Sequence, residues 1–287
     1  GILALVVLAW VFATMGVFAR YLGAEFQLFE QTYLRIGVAF LIGSLLFFPW
    51  IRLRIFLRVS RRDFIILLLR SIALYTGVVL FTESILHTTL SNSSIIASLP
   101  LLPLFGYFML KERVALKTLL FIFIGFIGVI IVSLNRYGAS LHFGYGEMMA
   151  LISILAFDFS YVARRWQSSL LNNYETTVAM FLSGTIFLFI TSVLLGETLP
   201  SVSKFTFSVV GIVCIAGFFN VLNLVLTNYG FQHVKVAIAG NILSLEVIFA
   251  LLYSIFLYKE FPTEVEVIGG ILVLYSVYNV NRIESQV

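Results

Sequence analysis

Apolar residues run along this chain in long unbroken stretches, not at the spacing of an amphipathic helix or a half-buried strand. The run from Leu119 to Leu134 is interrupted only by Gly125, Gly128 and Ser133. Such a run approaches the roughly 20 residues a helix needs to cross hydrocarbon, and it lacks the strict alternation of a barrel wall. Breaks at charge, Gly, Pro and Asn clusters divide the chain into ten stretches: 2–20, 28–48, 64–86, 92–110, 114–134, 146–166, 174–195, 206–231, 235–258 and 264–281. The prediction is an all-α integral membrane protein with ten transmembrane helices. The chain opens directly in a hydrophobic stretch, with no basic segment before it and Arg20 where a cleavage site would fall. That reads as a first spanning helix and not a signal peptide.

Composition removes the alternatives. Of 287 residues, 61% are hydrophobic and 11% charged, and the mean hydropathy is +1.06, far from an ordinary soluble domain. Lipid offers no solvent to unpaired backbone groups, which leaves helices. Ten crossings leave only short loops, so no soluble catalytic domain fits, no enzyme is expected, and function must sit inside the bundle. The net charge of +4 points first to topology and not to nucleic acid. With both termini on one side, that side receives 13 Lys and Arg and the other 5. The positive-inside rule then predicts a multi-pass protein of the cytoplasmic (inner) membrane with both termini cytoplasmic, anchored most strongly by Arg52 to Arg62. Cys214 is the sole cysteine, so no internal disulfide and no cysteine-based metal site is expected, and nothing in the sequence calls for a cofactor.

The chain also repeats itself. SLPLLPLFGYFMLKERV, Ser98 to Val114, is echoed by SLEVIFALLYSIFLYKEF, Ser244 to Phe261. Each runs into a short polar joint and then a glycine-bearing helix, with Gly125 and Gly128 in one copy and Gly269 and Gly270 in the other. His87 to Leu99 likewise matches His233 to Leu245 in hydropathy. The shift corresponds to five spans, and an odd number of spans inverts the second copy in the membrane, as in many transporters. The expected organisation is one membrane domain of two inverted five-helix repeats, 1–138 and 139–287, around a central cavity.

These residues resemble the drug/metabolite transporter superfamily in its EamA-like ten-helix form. The resemblance rests on Trp10, on LRIGVAF with Arg35, on the proline-bearing fourth span closing with Lys111-Glu112-Arg113, on GFIGVI at Gly125 to Ile130, and on SLEVIFALL at Ser244 to Leu252 followed by Lys259-Glu260. It implies a cavity lined mainly by spans 1, 3, 4, 6, 8 and 9, and transport of small metabolites by alternating access. Two departures stand out. Val247 follows Glu246 where proline is usual, predicting a weaker kink than in the fourth span, and Asp158 stands where relatives carry an aromatic or small residue.

Deep ionisable residues are costly in lipid, so they normally face the bundle interior or a water path. Glu83, Asp158 and Glu246 are the deep acids and Arg35 the deep base. Glu83 shares a helix face with Thr76 and His87, an arrangement suited to handing on a proton or holding a cation, or else to a gate or an ion pair with Arg35. Asp158 and Tyr161 suit a substrate ammonium, through charge and the negative face of the ring. Asn220, Asn223 and Thr227 follow one helix face, and amides serve a zwitterion or hold helices together. Asn241, Trp10 and Tyr75 complete the candidates. Glu112 and Glu260 are read as caps of the helices that follow them. Together these features predict a secondary transporter of small-molecule substrates, foremost an exporter of amino acids or related amphipathic solutes, with protons as a candidate coupling partner and the lipid bilayer as surroundings. Uptake or exchange of a cationic metabolite such as S-adenosylmethionine, and a passive channel or facilitator, stand beside it.

Overall fold

The computed structural model describes residues 1–111, 114–134, 144–233 and 242–284, and within them the regular elements are all helical. They are α1 Ile2–Gly23, α2 Leu28–Phe47, α3 Arg61–His87, α4 Leu90–Ala97, α5 Leu102–Leu110, α6 Leu116–Leu134, α7 Tyr145–Ala163, α8 Asn173–Leu194, α9 Phe207–His233, α10 Leu245–Tyr258 and α11 Glu264–Glu284. Seven stretches are long and apolar enough to cross a membrane: α1, Leu28–Trp50, α3, Leu90–Leu110 (α4 with α5), Tyr145–Trp166, α8 and Phe207–Gly230. Leu116–Val132 and α10 are shorter apolar helices, and α11 occupies the tenth predicted stretch. Candidates Asn241 and Glu112 lie outside the described residues.

Local chemistry starts equivalent helices in the same way. The Glu30 carboxylate accepts from the Gln27 N–H at 2.8 Å before α2, and that of Glu175 accepts from the Asn172 N–H at 2.8 Å before α8. Each acid is buried and meets a cation from the other half of the chain: Lys204 Nζ lies 3.5 Å from Glu30, and Arg52 Nε lies 2.9 Å from Glu175. Hydrogen bonding to Glu175 holds the Arg52 guanidinium above its ordinary value. These two clasps lie at opposite ends of α2.

Helix contacts follow a two-fold rule. α1 packs on α9 as α3 packs on α7; α2 packs on α9 as α8 packs on α3; and α1 meets α10 as α7 meets α4 and α5. The pairs α2 with α8, α4 with α10 and α6 with α11 lie on the symmetry relation itself. At the last of these the backbones touch. A Cβ added to Gly128 would stand 2.7 Å from the Gly269 carbonyl oxygen, and one added to Gly269 would stand 2.7 Å from that of Gly128. In lipid, small residues let helices gain dispersion contacts at close range. Gly269→Ala is therefore expected to destabilise the folded protein by about 1–3 kcal/mol, because the neighbour is backbone and cannot rotate away. Gly211→Ala, with nothing within 4 Å of the new methyl, is expected to leave the melting temperature in detergent at or above that of the unmodified protein.

The repeat extends to strained positions. Lys111 and Lys259, which end α5 and α10, are the non-glycine residues with positive φ among those described, both at 58°. A left-handed helix end normally carries glycine. Lys259→Gly is expected to raise stability by about 0.5–1 kcal/mol, seen as a higher melting temperature in detergent.

At Pro100 and Pro103 the fourth span is interrupted and not merely kinked, leaving 98–101 outside both α4 and α5. The ninth span is also interrupted, at Ser244 immediately before α10, although no proline stands there. Glu260 corrects an expectation. Glu266 caps the start of α11, accepting from the Thr263 N–H at 2.8 Å, while Glu260 pairs with Arg20 at 2.7 Å. Cys214 is exposed on the outside of the bundle.

The two largest apolar cores among the described residues form, one from α2, α3, α8 and α9 around Ile36, Tyr75 and Phe181, the other from α4, α6, α7, α10 and α11 around Ile96, Val129 and Val273.

Candidate functional site

Both cores contribute walls to one cavity of about 490 Å³, Tyr75 and Phe181 from the first, Leu99 and Val277 from the second. Pockets of about 300–1,000 Å³ are what small ligands occupy. The cavity lies among α1, α3, α7 and α9 and the interrupted fourth and ninth spans, with single residues reaching it from α2 (Arg35) and α8 (Phe181) and two from α11 (Val277 and Asn281). Every residue from Ala97 to Pro103 lines it, so the break in the fourth span faces it; Ser244 and Glu246 line it from the matching interruption in the ninth. Irregular backbone at membrane depth survives where it borders such a space.

Helical periodicity decides which side chains arrive. On α3 the lining includes Tyr75, Val78, Thr82 and Ile85; on α7, Ile154, Asp158 and Tyr161; on α9, Asn220, Asn223 and Thr227. Each set steps by three or four residues, one face of a helix. Asp158, Tyr161, Glu246, Arg35, Tyr75, Asn220 and Asn223 thus share one cavity. Asn228, one step off the α9 face, donates instead to Thr177 Oγ1 at 3.0 Å and ties α9 to α8.

Other candidates stand elsewhere. Trp10 is 38% exposed and packs on Phe219 at 5.3 Å between ring centroids, while Phe12, Met15 and Ala19 are the α1 residues that reach the cavity. Two positions along a helix turn a side chain by about 200°. Glu83 and His87 occupy the α3 face turned to the start of α7, not the cavity wall. Glu83 accepts from the Tyr145 hydroxyl at 3.2 Å and lies 3.6 Å from His87 Nδ1. No ion pair joins Glu83 to Arg35. Thr82, one residue earlier, takes the cavity position, and neither its charge nor its rarity marks it in the sequence. Arg164 and Arg165, in the turn after α7, also border the cavity.

The electrostatics are uncompensated. Arg35 is 3% exposed; its guanidinium donates to Thr82 Oγ1 at 3.3 Å, and its Nε has no partner. Asp158 is 4% exposed with Oδ2 unpartnered. Glu246 accepts from Ser94 Oγ at 3.4 Å. Among the described residues no salt bridge joins any of these three to an opposite charge. The Tyr75 hydroxyl is buried and unpartnered as well. Buried charges are normally paired, so the buried Arg35 guanidinium and the Asp158 and Glu246 carboxylates, outside any salt bridge among the described residues, offer binding energy to a solute carrying both signs.

The two ends of the cavity differ. Its lining reaches Leu110, Arg164 and Arg165 at the ends of α5 and α7, but stops at Ala19 on α1. The next residue, Arg20, ties α1 to its neighbours: besides Glu260 it meets the Tyr258 ring, 4.5 Å from guanidinium carbon to centroid, and donates to the Thr88 carbonyl at 3.5 Å.

The sequence model of the EamA-like transporter family matches residues 1–134 and again residues 144–282. Among solved structures, 28 chains match. One, titled only as the crystal structure of a protein, is 14% identical with a TM-score of 0.68, covering 100% of this chain and 97% of its own. At that identity the likeness shows the fold. A search of curated proteins finds no match.

Proposed function

We propose a substrate class and a mode of action for this chain, which belongs to the EamA-like transporter family and is a multi-pass membrane transporter of small solutes. The solute is a zwitterion, foremost an amino acid, moved by alternating access and in the outward direction. One observation carries the reading: Arg35, Asp158 and Glu246, none of them in a salt bridge among the described residues, line the same cavity. The carboxylate of such a solute goes to Arg35, whose guanidinium is planar and forked. Its ammonium goes to Asp158 beside the Tyr161 ring, and the Asn220 and Asn223 amides serve whichever groups remain.

The framework is ten crossings in two inverted repeats, 1–138 and 139–287, with both termini cytoplasmic. Contacts at the Arg20 end favour a solute path closed there and reached from the opposite, Arg164 end, which is the loading state of an exporter. A passive channel has no use for such a closure. Coupling to protons would fall to Asp158 and Glu246, acids without a fixed cation.

Away from the mouth that Arg164 and Arg165 border, two acids, Asp158 and Glu246, face one base, Arg35, which supports a second reading, a cationic metabolite such as S-adenosylmethionine. Counterflow in proteoliposomes separates the readings. Saturable exchange of an amino acid supports the first; exchange confined to solutes with net positive charge replaces it with the second; no saturable exchange across a broad metabolite panel overturns both.

A further inference from the structure

The strongest concentration of free positive charge lies outside the cavity. Between α2 and α3, the segment 48–62 alternates exposed apolar and basic side chains: Phe48, Trp50, Leu53 and Leu57 stand among Arg54, Arg58, Arg61 and Arg62, all exposed. Arg52 is engaged with Glu175. The other four arginines form no salt bridge among the described residues. At one edge of this patch an open groove is lined by Arg62, Ile65, Ile66 and Trp166.

The groove is held in shape. Asp63 accepts from the Ser168 N–H at 3.2 Å and hydroxyl at 3.0 Å. Arg70 donates to the Ser160 carbonyl at 3.1 Å and also to Gln167. These contacts bind the start of α3 to the turn that carries Trp166. One rim is therefore cationic and the floor is branched aliphatic. The opposite rim is an indole, a side chain suited to the level where headgroups meet hydrocarbon. Orientation in the membrane asks only for cations on this side; it does not ask for one of them above a fixed apolar groove.

We propose that this corner of the molecule is a binding site for an anionic phospholipid. The phosphate pairs with Arg62, in a forked geometry that guanidinium favours. Arg58 and Arg61 supply the surrounding positive field. An acyl chain follows Ile65 and Ile66 along α3, where Leu69 continues the exposed apolar strip. A free phosphate ester would use the arginine alone; a lipid uses both rim and floor.

Native mass spectrometry of the purified full chain tests this, with phosphatidylglycerol or phosphatidylcholine added in detergent. Retention of phosphatidylglycerol at least fivefold above phosphatidylcholine is expected. Arg62→Gln and Trp166→Ala should each remove most of that preference, and Arg54→Gln, which deletes the same charge away from the groove, should keep it. Equal retention of the two lipids overturns the proposal, as does undiminished preference in Arg62→Gln or equal loss in Arg54→Gln. Melting curves with soluble glycerol phosphate identify the source: stabilisation matching that of the lipid would mean an anion site and not a lipid site. Each outcome is independent of the substrate assigned to the central cavity.

Discussion

Asp158→Asn is expected to lower the specific transport rate for an amino acid by about 10- to 100-fold without loss of folded stability. A hydrogen bond to a charged group is worth about 1.5–3 kcal/mol, and removing the carboxylate forfeits that interaction with the substrate ammonium. The direction of the stability change separates roles. A buried carboxylate with an unpartnered oxygen costs the empty protein desolvation energy, so a neutral amide of the same shape should leave the melting temperature equal or higher. If Asp158 instead held helices together, stability would fall along with flux. Substrate charge provides a second axis. An amine lacking the carboxylate should be sensitive to Asp158→Asn and indifferent to Arg35→Gln, whereas the intact amino acid should be sensitive to both. Proteoliposome counterflow and melting in detergent check these outcomes together. Unchanged amino-acid flux in Asp158→Asn would remove the residue from the site.

The particular residues show what the chain reveals before it folds. Crossings at 28–48, 64–86 and 206–231 coincide with helices to within a few residues, because hydrocarbon thickness dictates their length and composition. The repeat is legible for a related reason: the chain must break and turn at equivalent depths, so Ser98 and Ser244, and Lys111 and Lys259, recur in order. Helix faces are another matter. In water, the buried face of a helix announces itself as an apolar stripe. Here the lipid side is as apolar as the core: Leu45 and Ile190 face outward, and Ile36 and Leu188 inward. Trp10 and Glu83 draw notice by chemistry, yet Phe12 and Thr82 hold the cavity positions, because neighbouring helices set the rotation of α1 and α3. Asp158, Tyr161 and the α9 amides were recoverable since several polar residues on one face supply the stripe that a lone residue cannot.

If the solute path is closed at the Arg20 end, as the proposed outward mechanism requires, Arg20→Gln is expected to open it. Arg20 joins α1 to Glu260 and Tyr258 at the end of α10, and to the Thr88 carbonyl after α3. Both members of the ion pair are largely shielded, with side-chain exposures of 22% and 25%, so screening by solvent is limited. A charged contact worth about 1.5–3 kcal/mol, present in one state and absent in the other, biases the two by about 10- to 100-fold, and its loss returns that factor to the open form. The sole cysteine makes the measurement simple. In a Cys214→Ser background, Ser98→Cys places a thiol on the cavity wall. Its modification by an impermeant maleimide, added from the Arg20 side of reconstituted vesicles, should accelerate at least tenfold in Arg20→Gln. Glu260→Gln should act in the same direction but less, since the Tyr258 ring and the Thr88 carbonyl still hold the guanidinium. Combining the two should add little to Arg20→Gln alone, because both variants remove the same bond. Equal labelling rates in all forms would place the barrier elsewhere and leave the Arg20 pair as a fixed brace between α1 and α10.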